Sequence, residues 1–176
     1  MYLSRTQIKT GFCHSFGEGL IEKILSDNGY EVLYPERMSL GQQIEKYSNA
    51  SVIITTNGTL GHNVLYAPSD VRLCILDRVH DSKVLNMHQQ AISKIMKNEV
   101  IAVRCSSKYS GHAVSFMWIS DELLEAFVRL DIKMKKNFTY KLLFGVEYLF
   151  FRVWNAIWRI KNYMASKIKM RNSNGD

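Results

Sequence analysis

The chain has 176 residues, 47% of them hydrophobic, which allows one ordinary core plus an appendage and excludes several large domains. Two prolines and no low-complexity tract exclude long disorder, and three cysteines (Cys13, Cys74 and Cys105) without a CxxC pair exclude a disulfide framework or a thiolate zinc site. The net charge of +7 belongs to the tail, because residues 131–176 hold ten Lys/Arg against three Asp/Glu while residues 1–130 hold thirteen of each; a nucleic-acid-binding globular face is not expected, and an anionic surface meeting the tail is.

Tyr2 to Ser4 is a short first strand, and Arg5 to Phe16 reads as a polar connection. Met1 to Thr6 is too short and polar for a secretion signal, so a cytoplasmic location is expected. Leu20, Ile21, Ile24 and Leu25 recur at helical spacing, and Asn28-Gly29 ends that helix. Glu31 to Tyr34 is a second strand, broken by Pro35. Ser39 caps a helix with Leu40, Ile44 and Tyr47 on one face and Gln42 and Gln43 beside them. The β-branched run Val52 to Thr55 has the composition of a parallel strand buried on both faces. It stops in the polar turn Thr56-Asn57-Gly58-Thr59, and a short apolar helix follows, ending before Pro68. Val71 to Leu76 is another buried strand, in which Cys74 reads as a small hydrophobe. A polar loop runs from Asp77 through His80. A helix over about 85–97 carries Met87, Ile92, Ile95 and Met96. Val100 to Arg104 is a strand, Ser106 to His112 a polar loop, and Val114 to Ile119 a further edge strand. Ser120 caps a helix through about Leu130, with Glu122 and Glu125 near its positive end.

Strands alternating with helices predict an α/β fold: a Rossmann-like parallel sheet with helices on both faces and right-handed crossovers, over residues 1–132. The boundary falls near Asp131 to Asn137, and residues 133–176 form a basic amphipathic helical tail. There Phe138, Leu142, Val146, Leu149, Val153, Ile157, Ile160, Met164 and Ile168 trace one face, widened by Phe150, Phe151, Trp154 and Trp158. Lys141, Glu147, Arg152, Asn155, Arg159, Asn162 and Lys169 take the other side. Arg152 and Arg159 argue against a span, which needs about 20 apolar residues. A helix lying on the membrane surface through residues 138–169 fits better, with packing on the domain or a partner as the alternative.

The unit from Ser51 to Asp77 is strand, glycine-bearing turn, helix, strand. Its turn sits at the carboxyl end of a strand and the amino end of a helix, where free backbone N–H groups make a site for phosphate or another anion.

The order of motifs resembles the C-terminal half of glycosyltransferase family 61, which includes bacterial capsular-polysaccharide transferases. The matching residues are Tyr2-Leu3-Ser4-Arg5, Gly29-Tyr30, Pro35-Glu36, Ser39-Leu40-Gly41-Gln42-Gln43-Ile44, Asn49 to Ile54, Gly58 to Asn63 and Ile75-Leu76-Asp77, within residues 2–78. Asn57 and Thr59 stand where the family usually has His and Ala, and Asp77 stands where it usually has Glu. The resemblance implies the donor lobe of a two-lobed GT-B-type fold, with the active site between the lobes. It implies a nucleotide-sugar donor, a saccharide or lipid-linked saccharide acceptor, and direct, inverting, metal-independent displacement with no cofactor. The acceptor lobe is then expected on another chain, and the tail is expected to hold the lobe at the inner face of the cell membrane.

Donor contacts are implied at Asn57, Gly58, Thr59, Leu60, Gly61, His62 and Asn63, with Asn63 also able to fix the loop through backbone. Arg5, at the same edge of the sheet, is a two-pronged phosphate contact or a surface ion pair. Glu36 and Gln43 face the donor cleft or serve as helix-capping polarity. His62 meets a phosphate oxygen or is structural, and Asp77 touches the donor or caps the next segment. His14, His80, His88 and His112 show no metal-ligand spacing with carboxylates, no Asp-x-Asp pair is present, and no metal site is expected. The catalytic base is not identifiable. Two other functions remain: a catalytically inactive remnant or partner subunit that binds a nucleotide or docks on a membrane or partner, and an unrelated nucleotide-binding protein. The second is disfavoured because Ser4-Arg5-Thr6 stands where a dinucleotide glycine fingerprint would be.

Overall fold

Short β-branched and aliphatic runs, each alternating between two apolar surroundings, build one parallel sheet covered on both faces. The computed structural model describes residues 1–8, 14–79, 85–111, 114–134 and 138–173. Cys13, His80 and His112 lie outside the described residues, as do the side chains of His14, Phe138, Ile168 and Lys169.

In chain order the elements are β1 (Tyr2–Leu3), β2 (His14–Phe16), α1 (Glu18–Asp27), β3 (Val32–Leu33), α2 (Leu40–Ser48), β4 (Val52–Thr56), α3 (Thr59–His62), β5 (Arg72–Asp77), α4 (Met87–Met96), β6 (Glu99–Arg104), β7 (Val114–Phe116), α5 (Asp121–Arg129) and α6 (Phe138–Ser173). Two 3-10 turns, Pro35–Arg37 and Asn63–Tyr66, follow β3 and α3. Local chemistry sets the ends. Ser39 and Gln42 form a reciprocal capping box on α2, and Asn86 and Ser120 cap α4 and α5. α1 starts at Gly17, whose left-handed φ of +78° suits glycine. A Cβ there would lie 1.9 Å from the Met117 carbonyl oxygen, so no other residue fits without backbone movement.

The main sheet runs β3-β1-β4-β5-β6, with every pairing parallel. From β1 the chain goes to one side, to β3; it then crosses to β4 on the other side and continues outward through β5 and β6. The order therefore reverses between β1 and β4, and open α/β sheets bind ligands outside the carboxyl ends of the strands at such a point. One face of the sheet packs Tyr2, Ile54, Cys74, Leu76 and Val103 against α1, α5 and the start of α6. The other packs Leu3, Ile53, Leu73 and Ile75 against Tyr47 of α2, Val64 and Ile92 of α4. The Cys74 thiol is fully buried, and desolvation pushes its pKa up to about 12, as expected of an inert core residue.

Several expectations are corrected. Val114–Phe116 is not an edge strand of the main sheet; it pairs in parallel with β2 in a separate two-stranded sheet, so the stretch expected as a connection also contains a strand. Leu40 opens α2 facing solvent, 63% exposed, and does not share the buried face with Tyr47. In α4, whose expected helix is present, Met87 and Ile95 face outward while Ile92 and Met96 pack on the core. Finally, α6 is apolar on two sides. Tyr140, Phe144 and Phe151 join the core, with Tyr148 and Trp158 against it, whereas Val146, Leu149, Phe150, Val153 and Ile157 face away. The docked rings meet the small sheet: Phe151 lies 5.6 Å from Phe116 and 5.9 Å from Phe16, centroid to centroid. Glu147, expected on an outer polar side, accepts the Gly17 N–H at the start of α1.

Candidate active site

Two strand ends meet where the strand order reverses. β1 continues into Ser4 and Arg5, and β4 into Asn57 and Gly58. Tyr2 pairs with Ile54 and Leu3 with Thr55, so the two exits are neighbours. The Arg5 guanidinium reaches across: its Nη1 lies 3.8 Å from where a Cβ on Gly58 would sit. Gly58 has φ +153°, a conformation that side-chain-bearing residues rarely adopt, so glycine here serves the turn; a Cβ would touch Arg5 only at ordinary van der Waals distance.

The turn itself is pinned. The Asn57 N–H donates to the Leu76 carbonyl of β5 at 2.9 Å. The buried Tyr47 hydroxyl donates to the Leu60 carbonyl at 2.8 Å, and burial pushes this phenol up to about 12. The helix that follows Gly58 is only four residues long and passes directly into a 3-10 turn, so its dipole adds little. What remains for an anion is local: the Thr59 and Leu60 N–H groups, which open a helix and have no partner within it, and the positive charge of Arg5. Thr59 is exposed, with its hydroxyl on that same first turn. Thr56, at the end of β4, is buried, and its hydroxyl has no hydrogen-bond partner among the described residues.

Beneath Arg5 sits a carboxylate that sequence reasoning missed. Glu18, in the first turn of α1, is 1% exposed. It accepts the Arg5 backbone N–H at 2.8 Å and the Tyr2 hydroxyl at 3.1 Å. Desolvation raises its pKa; those two bonds and the charges of Arg5 and Arg78 oppose the rise. Arg78, just past β5, is buried and close enough to be felt by Glu18. Its position was a signal: like Arg5, it is a cation placed directly after a buried parallel strand.

The other expected residues lie at differing distances from this crevice. Gly61 faces the fold, since a Cβ on it would meet Gln89 Oε1 at 2.8 Å and Ile75 Cδ1 at 2.9 Å. His62 turns toward α4, its ring 6.2 Å from that of His88, and its buried Nε2 has no hydrogen-bond partner among the described residues. Asp77 is buried; its carboxylate accepts the Val79 N–H at 3.3 Å, the geometry of a cap on the following loop. Gln43 donates to the carbonyls of Pro35 and Met38, tying the 3-10 turn to α2. Glu36 stands exposed on that turn, after the edge strand β3. Among the described residues, no three His, Cys, Asp or Glu side chains are grouped as metal ligands.

Residues 1–74 match the family model described as Glycosyltransferase 61. The chain is similar to glycosyltransferase family 61 over those residues, 74 of its 176. No curated protein and no solved structure matches the chain. The family 61 stretch contains both sides of the crevice, Arg5 and Gly58, with Glu18 between them in sequence. It stops within β5, so Asp77 and Arg78 lie beyond it. The match supports a relation to the glycosyltransferases in general.

Proposed function

We propose that the chain is the donor-binding lobe of a GT-B-type glycosyltransferase of surface-polysaccharide assembly, holding a nucleotide-sugar at the β1/β4 crevice. The observation that carries this reading is the Arg5 guanidinium lying against Gly58 at the point where the strand order reverses. The diphosphate sits there, its negative charge met by Arg5 and by the N–H groups of Thr59 and Leu60. Asn57, Gly58 and Thr59 shape the cradle; Leu60, Gly61, His62 and Asn63 hold it in place from behind. Glu36, on the carboxyl edge beside β1, takes a sugar or ribose hydroxyl, and Gln43 keeps the Glu36 turn in position; buried Asp77 serves instead as the cap on the loop after β5.

In the reaction, an acceptor hydroxyl oxygen bonds to the anomeric carbon as the bond from that carbon to the diphosphate oxygen breaks. The electron pair leaves on the nucleoside diphosphate, which Arg5 and the turn neutralise. The hydroxyl proton passes to a base in the acceptor lobe. The acceptor is a saccharide or lipid-linked saccharide presented at the inner face of the cell membrane.

Calorimetric titration of the purified chain with UDP- and GDP-sugars tests this. Saturable binding of one nucleotide class, weakened in Arg5→Ala, is the expected result; failure of both classes to bind would sink the donor reading. Binding that never leads to sugar transfer or hydrolysis favours a non-catalytic partner subunit instead.

A further inference from the structure

We infer that the outer face of α6 is a docking surface for an anionic lipid bilayer, on which the helix lies flat with the domain on its far side. The helix is 36 residues long, about 54 Å. Its docked residues Tyr140, Phe144 and Phe151 fall on one side, and at about 100° per residue the stripe Val146, Leu149, Val153, Ile157, Ile160 and Met164 falls roughly opposite. Leu149, Val153, Ile157 and Ile160 are each at least 60% exposed. The stripe thus runs about 27 Å along a face that the rest of the chain leaves uncovered.

Charge selects the occupant. Glu147 is the only carboxylate of α6, and it is turned inward to the Gly17 N–H. The outer side therefore carries cations without anions: Arg159, Lys161 and Lys167 are exposed around the stripe. A second copy of this helix laid against the first would oppose cations to cations with no carboxylate between them. An anionic bilayer meets both features at once, apolar side chains entering the acyl boundary and Lys and Arg reaching the headgroups. Phe150 and Tyr163, both exposed, supply aromatic groups at that depth. No helix of the described residues is long and apolar enough to cross a membrane, which agrees with a helix that lies on the surface.

The test is flotation of the full chain, without nucleotide, with vesicles of equal parts phosphatidylcholine and phosphatidylglycerol, and with pure phosphatidylcholine. The chain floats with the mixed vesicles and much less with the neutral ones. Leu149→Glu with Val153→Glu, both outward-facing, lowers affinity for mixed vesicles roughly tenfold or more while the urea midpoint stays put. Lys161→Gln with Lys167→Gln lowers it roughly tenfold on mixed vesicles and leaves neutral ones unchanged, and it decides the matter should the glutamate pair unfold. Absence of flotation with mixed vesicles overturns the proposal. So does a lipid-free dimer, seen by sedimentation, that the glutamate pair converts to monomer. Because no nucleotide enters the assay, these outcomes stand apart from the fate of the donor reading.

Discussion

The two sides of α6 carry the same kinds of residue and meet opposite surroundings. Phe151 is fully buried between Phe16 and Phe116, whereas its neighbour Phe150 is 65% exposed. The inner side is also wired to the crevice: Glu147 holds the Gly17 N–H, and the next residue, Glu18, holds the Arg5 N–H. The outer side touches none of this. Apolar residue type therefore does not tell which side of a helix is structural; what tells is whether the side chain meets rings and backbone groups fixed by the rest of the fold.

The sharpest way to break that contrast is to truncate each ring in turn. Phe151→Ala should cost about 3–5 kcal/mol of unfolding free energy, because it removes a ring from a packed site that cannot fully collapse. Phe150→Ala should stay within about 0.5 kcal/mol. Equal urea midpoints for the two variants would show that the docked arrangement is absent in solution. Next in size is the joint between helix and crevice. Gly17→Ala forces a side chain into a left-handed backbone and against the Met117 carbonyl, and should cost about 3 kcal/mol. Because Gly17 precedes Glu18, donor affinity should fall with it; a variant that loses stability but keeps wild-type nucleotide affinity would uncouple the two.

Arg5→Ala makes the complementary cut. Arg5 is held by its backbone N–H on Glu18, while its guanidinium lies beside Gly58, so the substitution should leave α6 docking and the urea midpoint nearly unchanged. Nucleotide-sugar binding should weaken by about 1–3 kcal/mol, the loss of a charge-assisted phosphate contact. An unchanged dissociation constant removes Arg5 from the site.

How far each feature could be read from sequence follows from the same physics. The main sheet was legible because its strands are apolar on both faces and its helices are bounded by Ser39, Ser120 and Asn28-Gly29, which have few other uses. The β2–β7 pair was not, because three-residue strands containing Ser15 and Ser115 show no period, and their partners are 100 residues apart. The glycine turn and Arg5 were legible as strand-end residues. Glu18 was not: a glutamate in a first helical turn ordinarily offsets the dipole in solvent, and only the return of β1 over it makes it buried. For α6, a single-period pattern could report one apolar face, and the second emerged only when the fold chose which to cover.

Glu18 gives the smallest effect and the most specific one. Its carboxyl is neutral more readily in the folded chain than at its ordinary value of 4.5, because burial outweighs the two bonds and the nearby arginines. Folding is therefore favoured by the protonated form: this contribution is fully present below the unfolded pKa and is lost as pH rises through the raised folded value. In Glu18→Gln an amide oxygen can still accept the Arg5 N–H and the Tyr2 hydroxyl without the desolvated charge. The variant should unfold at higher urea than wild type at pH 7, and the gap should close as pH falls toward 4.5. A variant less stable than wild type at pH 7 would mean that the attraction of Arg5 and Arg78 outweighs burial. The ionised carboxylate would then be part of what holds the crevice together, and Arg5 would lean on its charge rather than on its hydrogen bond alone.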